Sequence, residues 1–204
     1  MAAPARDVTA ALRERAASMA GRVRLEAGAA LGASDADRVT AAVAAALAHR
    51  DGRLLDDHDP RYLHPARTVL ILLADTECRD PAVLAAASFV ESVDTGLAAP
   101  GQALAAAFGA SAVPELEAVP LPSLSRDRLL EDLVCAPRGP ALAALAERLD
   151  QVRHLHLRPE LDWHAMHASV EVVYVPAAAR IAPVLCGRFE RWAESFRRRL
   201  MTRA

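Results

Sequence analysis

From position 7 to 31 the chain reads DVTAALRERAASMAGRVRLEAGAAL, with Ala, Leu and Arg recurring at helical spacing and Asp7 placed to cap. Similar runs return at residues 34–49, 64–74, 141–157 and 160–181, each opened by Asp, Ser or Pro. Such spacing buries its apolar side only when helices pack on helices. A strand-rich sandwich would need more turns and more aromatic side chains. Hydrophobic residues make up 53% of the chain, but aromatics only 4%, and there are 9 glycines. The fold expected is therefore all-α, packed through Ala and Leu. Its 204 residues suit one sizeable core rather than two.

Residues 1–33 form an N-terminal helical extension, whose alanine-rich face is a candidate surface for a homodimer, and residues 34–204 form the main helical domain. A polar, Asp-rich loop (HRDGRLLDDHDPRYLHP) ends at His64-Pro65 and leads into the apolar helix HPARTVLILLA. Asp80-Pro81 caps the next helix, which runs into AAASFVESVDT at 85–95. That stretch reads as one buried helix whose last turn carries acid towards a pocket. A short helix ends at Phe108-Gly109 and another covers 112–119. The break at 120–123 precedes a charged helix, SRDRLLEDLV. Arg138-Gly139-Pro140 opens the helix through LHL at 155–157. Pro159 opens another, kinked near Pro176, and the last helix follows Pro183 with Trp192 and Phe196 as core anchors.

All 24 basic residues are arginine, interspersed with 26 acids to a net charge of −2. This balance points to neither a nucleic-acid surface nor an anionic-membrane patch. Arg197, Arg198 and Arg199 read as a charged last turn complementing the helix dipole. Cys78, Cys135 and Cys186 are far apart and lack metal or disulfide spacing, as expected for packed thiols in a reducing cytoplasm. No apolar run reaches the roughly 18 residues that span a bilayer, and no signal-peptide core is present.

Taken in order, HRDGR…YLHP, AAASFVESVDT, Phe108-Gly109, LAERLDQVR (145–153) and VEVVYVPAAARI (170–181) resemble the landmarks of the HD-domain (p)ppGpp hydrolases. These are the RelA/SpoT hydrolase half and the small alarmone hydrolases, and the resemblance covers about residues 35–200. It implies an HD-domain-like helical bundle with an extra N-terminal helix. In that family one His, an His-Asp doublet and an Asp converge from three helices on a metal at about 2.0–2.2 Å. The matching positions here are His64, Phe89, Val90 and Glu147, so two of the four cannot donate. No metal and no cofactor is expected, and the family's catalytic Glu-Asp pair becomes Val93-Asp94.

The candidates for acid/base work are His64, Asp94, Glu147 and Asp150. Those for ligand binding are Arg50 and Arg53 of the basic loop, Phe89, Gln151, Arg153, His167 and Tyr174. Two readings follow from the resemblance. One is a metal-independent acid/base enzyme acting on a small organic or nucleotide-like substrate, for which specialised metabolism is a plausible setting. The other is an inactive pseudo-hydrolase serving as an alarmone sensor or protein-interaction module. Structurally, Asp94 and Glu147 could equally be paired with Arg148 or Arg153. His154, His156, His164 and His167 form a second cluster, in which the last two share a helix face at i, i+3; surface or capping roles fit them, with His167 turned inward.

Overall fold

Ala and Leu at helical spacing build an all-α protein: every element is helical, and no strand occurs among the described residues. The computed structural model describes residues 10–50, 60–96, 98–122 and 126–201. Asp7 and Arg53 lie outside them. Helices α1 (Ala10–Leu31) and α2 (Ala33–Arg50) pack on one another through a one-residue turn at Gly32. The φ of +91° there is one that glycine adopts without strain. Leu12, Ala16, Val23 and Ala27 of α1 are buried in the same core as α2 and α3, and Arg24 Nε meets Asp37 at 2.7 Å across the turn.

Helix α3 (His64–Asp75) carries Pro65 in its first turn, where a missing N–H costs no hydrogen bond. The Asp80 side chain accepts from the backbone N–H groups of Ala82 at 2.9 Å and Val83 at 3.4 Å, capping α4 (Pro81–Ala87) as its sequence predicts. The stretch 85–95 is not one helix, however. It breaks at Ser88-Phe89 and restarts as α5 (Val90–Asp94). Ser88 and Phe89 donate back three residues, to Ala85 and Ala86, and the Ser88 hydroxyl also bonds the Ala85 carbonyl at 2.7 Å. These tighter bonds compete with the helical ladder and end it.

Helices α6 (Pro100–Ala107), α7 (Val113–Glu117) and α8 (Arg126–Cys135) precede the central helix α9 (Arg138–Arg153). From Pro140 to Asp150 every residue of α9 is buried, because α3, α4 and α12 pack around it. Its run 141–146 is apolar on all sides, which suits the middle of a bundle, and the charged Glu147, Arg148 and Asp150 are buried with it. Its first turn approaches α4 so closely that a Cβ on Gly139 would stand 2.5 Å from Val83 Cγ2. Gly139→Ala is therefore expected to cost about 1–3 kcal/mol in urea unfolding, since neither helix has room to retreat.

Helix α9 stops at Arg153, and a 3₁₀ turn holds Leu155–Leu157. Helix α10 (Trp163–Ser169) starts at Asp162, which accepts from Ala165 N–H at 2.9 Å, and not at Pro159. A π-helical turn, Val170–Tyr174, joins it to α11 (Val175–Ile181). The wider turn accommodates the N–H that Pro176 lacks, so the expected disturbance is a π turn. Helix α12 (Pro183–Met201) closes the bundle. No described helix is long and apolar enough to cross a membrane.

Candidate functional site

Three helices bring their polar side chains to one buried point. His64 opens α3, Glu91 lies in α5, and Glu147 and Asp150 sit one turn apart on α9, all with under a tenth of their surface exposed. His64 Nδ1–H donates to Asp150 Oδ2 at 2.7 Å, and Arg67, one turn along α3, donates through Nε to both Asp150 oxygens at 2.9 Å. On the other side of the ring, His64 Nε2 faces Glu147 Oε1 at 3.6 Å and Glu91 Oε2 at 3.7 Å, with Thr68 Oγ1 at 3.4 Å. The two glutamates are ion-paired to the ring at distances too long for hydrogen bonds.

Burial alone would drive the imidazole proton off. Glu91, Asp150 and Glu147 outweigh it and raise the His64 pKa to about 10. Burial pushes Asp150 the other way, but the His64 bond and charge, with Arg67, hold its carboxyl below the ordinary value. Glu147 is likewise held low, Arg148 and His64 overcoming its burial. Three carboxylates (Glu91, Glu147, Asp150) thus face His64, Arg67 and Arg148, with Asp94 a fourth acid beside Arg148.

Arg148 extends the network outward. It lies 3.7 Å from Glu147 and 3.9 Å from Asp94, donates to Gln151, and sets its guanidinium 5.4 Å from the Tyr174 ring centre. Burial raises the Tyr174 and Asp94 pKa values, against the pull of Arg148. Of the two arginines open as partners for the acids, Arg148 is the one used. Arg153 points to the opposite side of α9, near Asp75.

The remaining candidates divide. Phe89 is fully buried beside the centre, its ring 6.2 Å from that of His49, and presents only hydrocarbon. His167 turns inward as expected, but towards α12: it meets the Ala193 carbonyl at 3.0 Å and stacks on Phe196 at 5.3 Å. The four clustered histidines do not converge, since His154 bonds the Asp150 carbonyl while His156 lines a separate cleft. The side chain of Arg50 lies outside the described residues. Two members of the centre, Glu91 and Arg67, are absent from the sequence-derived set. Arg67 was legible as the residue one turn after His64, and Glu91 as the acid directly after the Phe-Val doublet.

The resemblance drawn from the sequence would put a metal at this place, and the residues here do not suit one. Among the described residues no three His, Cys, Asp or Glu side chains form a set that could hold a metal ion. Two of the four matching positions, Phe89 and Val90, offer no donor atom. His64, held protonated between Glu91, Glu147 and Asp150, already supplies positive charge where a cation would sit. The free volume between His64, Arg67, Glu91, Asp150 and Gln151 is about 10 Å³, room for about one water. Comparison with known proteins finds no matching family model, no matching curated protein and no matching solved structure.

Proposed function

We propose that this chain is a non-catalytic binding protein on an HD-hydrolase-like bundle, in which a protonated histidine has taken the place of the metal ion. The observation that carries this reading is the buried, ion-paired centre around His64. Its acids face His64, Arg67 and Arg148, although Glu147 Oε1 is left without a hydrogen bond, and the space beside them is smaller than any organic substrate. General acid/base chemistry needs a substrate atom within hydrogen-bond reach of the catalytic group, and here that reach is filled by protein. Convergence of α3, α5 and α9 on one point supports the relation to the hydrolases, because their ligand positions come from the matching helices. The ions then serve as a fastener that fixes three helices, and recognition of a small ligand happens elsewhere on the bundle.

The test is to supply the full chain with Mn²⁺ and an alarmone and follow both release of pyrophosphate and metal content after dialysis. No turnover and no stoichiometric metal are expected. Turnover abolished by Asp150→Asn would overturn the reading in favour of an enzyme.

A further inference from the structure

A cleft of about 830 Å³ runs along α12 beside the end of α9, on the far side of α9 from the ionic centre. That is the size of a pocket for a drug-sized organic molecule. Its chemistry is two-sided. Leu149, Trp163, Trp192 and Phe196 supply an apolar wall, and Arg153, Arg188, Arg191 and Arg199 line it with positive charge, with no acidic residue among its lining. The spacing on α12 explains this: Arg188, Arg191, Trp192, Ser195, Phe196 and Arg199 recur every three or four residues and so share one face.

The positive charge is only partly spent. Arg188 is ion-paired to Asp75, a buried acid at the end of α3 whose second oxygen has no hydrogen-bond partner. Arg153 and Arg191 act on Asp75 only at longer range and have no ion-pair partner among the described residues. Both are exposed at the cleft. The rings offer edges more than open faces, because Trp192 stacks on Phe196 at 5.1 Å and Trp163 meets Phe196 edge-on at 6.2 Å. An alkyl body suits such a wall better than a planar base that needs a free face on which to stack.

We propose that this cleft binds a small amphipathic organic anion, its carboxylate or phosphate head on Arg153 and Arg191 and its alkyl body along Trp163, Trp192 and Phe196. A guanidinium can take both oxygens of such a head in a forked pair of hydrogen bonds. The assignment rests on the binding-protein reading and supplies its ligand class.

The chain has two tryptophans, and both line the cleft, so intrinsic fluorescence of the full protein reports its occupancy. Titrations with laurate and dodecyl phosphate, below their micelle concentrations, are expected to give a saturable change. Half-saturation should fall at least tenfold below that of dodecyltrimethylammonium, which has the same tail and the opposite charge. The double variant Arg153→Gln, Arg191→Gln should weaken binding at least tenfold with its thermal midpoint unmoved, whereas Arg22→Gln on α1 should leave it unchanged. A cation binding as well as the anions, equal weakening by Arg22→Gln, or tighter binding of an oligothymidylate than of either anion would overturn the proposal. An alarmone that binds with no change in tryptophan signal, where laurate also gives none, overturns the cleft but spares the binding-protein reading. Saturation by laurate alongside alarmone turnover keeps the cleft and overturns that reading.

Discussion

Asp150→Ala is expected to lower stability by about 3–5 kcal/mol, the usual penalty for removing one partner of a buried ion pair. Asp150 is fully buried and accepts from both His64 and Arg67 at 2.7–2.9 Å. Deleting it takes from His64 its hydrogen-bonded carboxylate and leaves Glu91 and Glu147, which stand no nearer than 3.6 Å, and it takes from Arg67 the acceptor of its Nε. The cost comes largely from buried donors that lose their acceptor, so Asp150→Asn, which keeps an acceptor oxygen of the same shape, should lose less. Urea unfolding at neutral pH measures both, with the slope against denaturant confirming that the exposed surface is unchanged. A loss under about 1 kcal/mol for the alanine variant would mean that these ions are not what fastens α3 to α9.

The sequence carried the fold further than the site, and the reason is one of scale. Periodicity along 141–152 depends on neighbours three and four residues away, and it placed the central helix correctly. The break at Ser88-Phe89 was hidden because AAASFVESVDT is compatible with helix throughout, and only a local choice of hydrogen-bond acceptors by Ser88 ends it. At the site, His64, Glu147 and Asp150 were found through their order along the chain, and the structure does bring them together. Asp94 was given equal weight but sits at the margin, its side chain 22% exposed and 3.9 Å from Arg148. Glu91 is harder to single out than its neighbours' order suggests, since which of Glu91, Ser92 and Asp94 turns inward depends on where the short helix begins. In sequence the cleft along α12 looks like core, because Trp192 and Phe196 do pack on each other. That the arginines between them share the same open face depends on what α9 leaves uncovered.

The same centre sets the second large effect, in alkali. The His64 pKa rises from 6.5 to about 10 on folding. The stabilisation this represents is fully present below pH 6.5, where both folded and unfolded chains carry the proton. Between 6.5 and about 10 the unfolded chain has released it and the native chain has not, so stability falls steadily as pH rises, and above about 10 the contribution is gone. A shift of this size corresponds to at most roughly 5 kcal/mol across the window. Asp150 and Glu147 act in the opposite direction: their carboxyls are held below the ordinary value, so their contribution is present above about pH 4 and lost as acid protonates them. The native state should therefore be most stable near pH 5–6.5. Unfolding free energies measured from pH 5 to 10 should show the decline in the wild type and a flatter profile in His64→Gln. Where that variant fails to fold, the imidazole signals of His64 in the wild type give the same answer, since they should stay those of the doubly protonated ring at pH 8.5. A ring that titrates near 6.5 would show that the carboxylates do not hold the proton, and with it would go the idea that an imidazolium stands in the place of a metal.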